Sequence, residues 1–183
     1  MTPIEEVFHD FVSLFERLDI PYAVMGGLAV RAHGLPRPTY DVDVTILLNR
    51  DSLPDLYEKV DEMGYDIPEP YRGGWVDRVA GMPLVKASTF REGRTIVVDI
   101  FIAECDFQKS LMDRRVRDRV NGFEAWLVTP EDLILLKLVA SRKRDLADVQ
   151  DVLTMNLNCD LTYLRKWADR LGIRDQLEDA LVA

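Results

Sequence analysis

Asp41 and Asp43 stand two apart at the start of a β-branched, apolar run, Val42-Asp43-Val44-Thr45-Ile46-Leu47-Leu48. In an extended strand, period two turns both carboxylates to one face. Two carboxylates side by side repel, and burial raises the cost. A hard dication resolves that conflict, and magnesium favours a few carboxylates together with phosphate oxygens. Asp99 interrupts another apolar run, Val97-Val98-Asp99-Ile100-Phe101, where a charge needs a partner or a metal. If the two strands are neighbours, three carboxylates converge and bridge two metals about 4 Å apart. Upstream, Gly26-Gly27 ends one apolar run and opens another. Without Cβ atoms these residues let backbone N–H groups approach an anion closely, and the helix N-terminus adds its dipole.

Other residues carry two readings each. Arg37 and Thr39 precede the acids and either touch phosphate or only shape the loop. Lys137 falls on the apolar face of its helix, so it either reaches a phosphate or snorkels to solvent. Asp145 and Asp148 lie three apart on one helical side; they either pair with Arg142 and Arg144, or Asp145 faces a cleft. His33 has no second histidine nearby and reads as structural rather than catalytic. Arg114, Arg115, Arg117 and Arg119 alternate with Asp113 and Asp118. That is a solvated face, with a contact surface for RNA phosphates as the alternative.

The positioning elements follow from periodicity. Residues 4–18 space their apolar side chains by three and four, which predicts an amphipathic helix with Thr2 as N-cap and Pro3 in its first turn. Tyr22 to Met25 reads as a buried strand, and Leu28 to Ala32 as a short helix stopped by Gly34, Pro36 and Pro38. Val42 to Leu48 is a second strand. A helix over roughly 53–63 follows, capped by Asp51 or Ser52. Residues 66–82 read as loop or hairpin. Leu84 to Phe90 and Thr95 to Ile102 form two strands around the turn Arg91-Glu92-Gly93-Arg94. Two more short strands flank Asn121-Gly122, a strong turn signal. From 130 onward the pattern is helical, opened by Thr129 as N-cap, Pro130, and Asp132 as an acidic analogue of a capping box. The expected plan is an α/β (α+β) core over 1–128, its mixed sheet flanked by helices, with a helical segment over 129–183 packed on it.

The joint pattern resembles the nucleotidyltransferase superfamily of the polymerase-β type. That family has a strand, Gly-Gly or Gly-Ser, a short spacer, Asp-x-Asp, and later an isolated acid on a strand. Gly26-Gly27, Asp41-Val42-Asp43 and Asp99 match it here. The version Arg37-Pro38-Thr39-Tyr40-Asp41-Val42-Asp43, and the segment Lys137 to Val149 with its Arg144-Asp145-x-x-Asp148, are similar to small bacterial enzymes of abortive-infection and toxin–antitoxin systems. The resemblance implies the fold and the chemistry. Asp41, Asp43 and Asp99 hold two Mg2+ ions, or Mn2+ in their place, and Asp99 helps remove the acceptor's proton. Gly26 and Gly27 cradle the β- and γ-phosphates of an NTP, with Arg37, Thr39 and Lys137 as further nucleotide contacts. An acceptor hydroxyl on tRNA, a protein or a small molecule such as an aminoglycoside takes the NMP, and pyrophosphate leaves. A cognate antitoxin or other partner protein is implied for the toxin-like members. The group uses Gly or Ser after the first glycine, so Gly27→Ser is expected to be tolerated. The competing readings are a catalytically silent nucleotide-binding module and a metal-dependent phosphohydrolase.

Bulk composition bounds the rest. The chain has 183 residues with a net charge of −9, enough for a hydrophobic core and unfavourable for unspecific nucleic-acid binding. Cys105 and Cys159 form no CxxC pattern, which fits reduced thiols in the cytoplasm and not a zinc site or disulfide framework. Acidic residues throughout the N-terminal helix exclude a signal peptide there, and no apolar window of about eighteen residues predicts a membrane span.

Overall fold

The structure is a computed structural model and describes residues 1–182; residue 183, the last of the predicted helical segment, lies outside the described residues. Thr2 and Pro3 open helix α1 (Pro3–Arg17), where the Thr2 backbone N–H donates to Glu5 Oε2 at 2.8 Å. Strand β1 (Tyr22–Met25) runs directly into helix α2 (Gly26–His33). Strand β2 (Asp41–Ile46) begins at the first acid and ends two residues before the predicted limit, since Leu47 has already turned outward to solvent. Helix α3 (Leu53–Glu62) follows a short turn capped by the side chain of Asn49, whose Oδ1 accepts from Asp51 N–H; neither predicted cap, Asp51 or Ser52, supplies that bond.

Residues 66–82 are more ordered than a bare loop. They hold a one-turn helix α4 (Glu69–Arg72) and strand β3 (Asp77–Val79), which turns through Ala80 and Gly81 into strand β4 (Met82–Arg91). Both turn residues have positive φ, 51° and 79°, the handedness that matches the twist of paired strands. Strand β5 (Arg94–Ile102) returns antiparallel to β4. Helix α5 (Asp106–Arg114) is an addition to the expected plan: its apolar spacing, Phe107, Leu111 and Met112, is too short a signal to stand out. The hairpin of strands β6 (Val116–Val120) and β7 (Phe123–Leu127) turns at Asn121-Gly122 as expected. Helices α6 (Pro130–Ala140), α7 (Lys143–Met155), α8 (Leu161–Leu171) and α9 (Arg174–Val182) complete the chain. Thr129 Oγ1 accepts from Asp132 N–H. Asp132 reaches back to the cap's hydroxyl and not to its backbone N–H: its carboxylate accepts from the Thr129 and Tyr163 hydroxyls.

Seven strands form one mixed sheet in the order β3-β4-β5-β2-β1-β7-β6. Its centre pairs β2 with β5 in parallel and β1 with β2 antiparallel. Alternation then sorts the side chains. Tyr22, Val24, Val42, Val44, Ile46, Val85, Val98 and Ile100 face one way, into a core with Phe8, Phe11, Phe15 and Leu56 of α1 and α3. Ala23, Met25, Leu84 and Phe101 face the other way, into a core with α2, α5 and the C-terminal helices. Helix α6 is apolar nearly all round, with Leu133, Ile134, Leu135, Leu136 and Leu138 buried, as suits a helix enclosed by its neighbours. The acids occupy the second face, at the edge of that core.

Candidate active site

Sheet register assembles the site. Met25 on β1 pairs with Asp43 on β2, Asp43 with Asp99 on β5, and Asp99 with Lys86 on β4. These four residues form one row across the sheet, and direct opposition puts their side chains on one face. Asp41 lies on that face two residues before Asp43, exposed at the strand's start. The predicted neighbour relation of the two acid-bearing strands therefore holds.

Helix α2 begins against this row. Gly26 has φ +62°, and a Cβ built there would lie 1.9 Å from Asp43 Oδ2. Only a residue without a side chain lets the carboxylate sit against the helix's opening turn. Gly27 is equally constrained, because its Cβ would lie 2.3 Å from Thr39 Oγ1 and 2.7 Å from Thr39 Cβ. This corrects the expectation for Gly27→Ser: Thr39 already fills the space a serine needs, and supplies a hydroxyl there itself. Thr39 is buried and donates to Asp41 Oδ1 at 2.9 Å.

The three acids differ in their partners. Asp41 has the Thr39 hydroxyl. Asp99 Oδ1 receives Lys86 Nζ at 2.7 Å. Asp43 is pushed up to about 7, first by desolvation and then by the charges of Asp41 and Asp99, while Lys137 and Arg142 pull it down through charge alone. Among the described residues, no three His, Cys, Asp or Glu side chains stand grouped closely enough to hold a metal ion as they are. The donor set nonetheless fits a hard divalent cation: the donors are all carboxylate oxygens, and the central one carries a charge that no bonded partner neutralises.

A cleft of about 290 Å³ opens over the row. Gly26, Asp43, Lys86, Asp99, Lys137, Arg142 and Asp145 supply its polar wall, and Met82, Phe101, Leu133 and Leu136 its apolar wall. A second hollow of about 450 Å³, beside Leu146, Ala147 and Ala180, contains none of the three acids.

Two predicted nucleotide contacts are otherwise engaged. Lys137 lines the cleft, but its buried ammonium lies 3.1 Å from Asp145 and 2.8 Å from Asp148. Arg37 holds Asp148, with Nε and Nη2 at 2.5 and 2.6 Å from its two oxygens, while its Nη1 lies beside the glycine turn, 3.4 Å from where a Cβ of residue 27 would be. Arg144 Nη2 donates to Pro38 O at 2.6 Å and Arg31 Nε to Arg37 O at 3.0 Å, so the chain leading to Asp41 is tied to α2 and α7. Desolvation raises the carboxyl groups of Asp145 and Asp148, but hydrogen bonds and charge from Arg142, Lys137 and Arg37 outweigh it and hold both below the usual range.

His33 is structural: its Nε2 lies 2.7 Å from Val128 O, and burial lowers its basicity. Each arginine of the run has a partner within the protein, Arg119 remaining 69% exposed. Arg114 pairs with Glu131 and Asp132 and covers the Tyr163 ring, Arg115 covers Trp126, Arg117 meets Glu16 and Glu124, and Arg119 meets Glu124. Sequence reasoning misses Lys86 and Arg142 as cleft residues. Lys86 has a signal: counted back from the Arg91–Arg94 turn, it falls opposite Asp99 in the hairpin. Arg142 has none, being an ordinary exposed arginine until α6 and α7 bend at Ser141 and bring it to the cleft mouth.

The fold has solved counterparts. An antigenic nucleotidyltransferase-like protein from Paracoccidioides brasiliensis superposes with a TM-score of 0.56 at 21% identity, covering 98% of this chain and 92% of that one. ANT(2")-Ia in complex with adenylyl-2"-tobramycin gives 0.57 at 12% identity, covering 97% and 98%. The lincosamide antibiotic adenylyltransferase LnuA, lincomycin-bound, gives 0.54 at 15% identity, covering 85% and 98%. At such identities the likeness establishes the fold alone. No curated protein matches by sequence. Among the described residues no helix is long and apolar enough to cross a membrane. The family described as nucleotidyltransferase of unknown function (DUF6036) matches residues 3–180, nearly the whole chain, and this protein belongs to that family of nucleotidyltransferases.

Proposed function

We propose that this enzyme moves a nucleoside monophosphate from an NTP to an acceptor hydroxyl and releases pyrophosphate. The observation that carries the reading is the in-register pair Asp43 and Asp99, joined on one face by Asp41, directly beneath the glycine that opens α2. Asp41, Asp43 and Asp99 would hold two divalent ions, magnesium or manganese, which when bound neutralise the triphosphate and stabilise charge at the reacting phosphorus. Backbone N–H groups at Gly26 and Gly27 cradle the β- and γ-phosphates, with the helix dipole behind them. The Thr39 hydroxyl takes the part that a serine at position 27 plays in the Gly-Ser version. Arg142 holds Asp145 at the cleft mouth, Nε to Oδ2 at 2.6 Å, but its side chain is 75% exposed, so it can turn to meet the phosphate tail. The acceptor oxygen forms its bond to the α-phosphorus as the bond to the β-phosphate oxygen breaks, and the hydroxyl proton passes to an Asp99 carboxylate oxygen. Most of the acceleration comes from positioning and charge neutralisation.

A small-molecule acceptor fits best. The arginine run that could have gripped RNA is paired internally, the chain is acidic, and the cleft is compact. The fold relatives, ANT(2")-Ia in complex with adenylyl-2"-tobramycin and the lincosamide antibiotic adenylyltransferase LnuA with lincomycin bound, make adenylyl transfer from ATP the first reaction to try. The test is label transfer from each α-labelled NTP, with magnesium, into RNA, protein and small-molecule fractions of a cell extract. Label in the small-molecule fraction, absent with Asp43→Asn, is the expected result. Measurable NTP binding with no label in any fraction would overturn the transferase reading in favour of a silent nucleotide-binding module.

A further inference from the structure

Lys86 holds one carboxylate and has a second on the neighbouring strand. On its inner side, Nζ holds Asp99 Oδ1 at 2.7 Å, and both side chains are partly exposed. On its outer side, strand β3 pairs Asp77 with Leu84, two residues from Lys86 on the same face. Such a diagonal neighbour lies roughly 7–8 Å away between backbones, within reach of a long side chain. The Asp77 carboxylate is held in place by donors of its own, the Tyr71 hydroxyl at 2.6 Å and Trp75 Nε1 at 3.0 Å. Lys86 also lines the cleft beside Asp43.

We propose that Lys86 is a two-position ammonium, seated on Asp99 while the carboxylates are without a divalent ion and moved to Asp77 when an ion takes Asp99. This rests on the reading of Asp41, Asp43 and Asp99 as ion ligands. An ion on either oxygen of Asp99 lies close enough to repel an ammonium held 2.7 Å from Oδ1, and in this scheme that repulsion moves the ammonium off. Asp77 lowers the cost of that displacement by offering a second, prepositioned carboxylate. Lys86 is a positioning residue in this scheme: it touches no substrate and acts through Asp99, setting how readily the acceptor-side ion binds.

The test is Mn2+ binding to the full chain without nucleotide, followed by loss of the free-ion electron paramagnetic resonance signal. Lys86→Met should bind Mn2+ about fivefold more tightly than the wild type, the scale of one partly exposed ion pair. Asp77→Asn should bind it more weakly by a similar factor, because the displaced ammonium loses its second seat. The double variant should match Lys86→Met alone, since Asp77 has no role once the ammonium is gone. Structural damage at position 86 would weaken binding, so tightening separates the proposal from a fold defect, and Lys86→Arg should restore wild-type affinity. Equal or weaker binding in Lys86→Met, with Asp43→Asn still abolishing it, would overturn the role of Lys86 and leave the ion site standing. Mn2+ binding indifferent to Asp43→Asn would remove both.

Discussion

Asp43→Asn should stabilise the ion-free protein above neutral pH while abolishing transfer. The folded Asp43 carboxyl is raised from 3.8 to about 7, chiefly by desolvation. A carboxyl raised on folding binds its proton more tightly in the native state than in the unfolded one. Native stability therefore falls as pH rises from about 4 through about 7, and then levels off. Asparagine does not titrate, so its advantage over aspartate grows across that window and is full above it. At 1.36 kcal/mol per pH unit the bound is about 4 kcal/mol, and water in the open cleft reduces it to about 1–2 kcal/mol. For a chain of this length that corresponds to roughly 3–6 °C in Tm. Thermal unfolding in chelator at a series of pH values from about 5 to 8 measures it. The expected record is a gap that widens with pH and closes when magnesium is added, because only the wild type gains from the ion. A gap of constant size, or a destabilised variant at about pH 8, would refute the claim that Asp43 carries unneutralised charge.

Three further outcomes follow from the packing. Gly27→Ser should lose most activity, since its Cβ would collide with Thr39 at 2.3–2.7 Å; Gly27→Ser combined with Thr39→Gly, which removes both colliding atoms, should recover part of it in the same label-transfer assay. Asp148→Asn should cost about 3 kcal/mol in urea unfolding, because it strips a buried carboxylate from both Arg37 and Lys137. His33→Ala should lower stability by about 1–2 kcal/mol through the lost Val128 contact while leaving kcat unchanged.

The candidate acids are legible in the sequence because each breaks a local rule. Asp43 and Asp99 are charges in strands of Val, Ile and Phe, and period two fixes which face they share. The glycines are legible as a pair at a strand end, but the space around them is not. That Thr39 fills the place a serine side chain at position 27 would take depends on how the 34–40 loop folds back, and nothing in the spacing encodes it. Arg37 reads as a phosphate ligand because a lone cation before an acid motif has no visible partner in sequence, and Lys137 because a charge on an apolar helix face asks for one. Arg37's partner, Asp148, lies 111 residues further along, and Lys137's partners, Asp145 and Asp148, lie on the next helix and come beside it only once α7 folds back along α6. Helix α5 escapes sequence reading because short amphipathic stretches carry weak periodicity, whereas α6 announces itself through a cap, a proline and an unbroken apolar run.

The most direct measurement is a crystal structure with Mn2+ and a non-hydrolysable NTP, with the ions located by anomalous scattering. The account predicts ions in coordination distance of Asp41, Asp43 and Asp99, the triphosphate against the Gly26-Gly27 turn, and Lys86 off Asp99. Nucleotide bound elsewhere, or manganese that avoids Asp43, would contradict it.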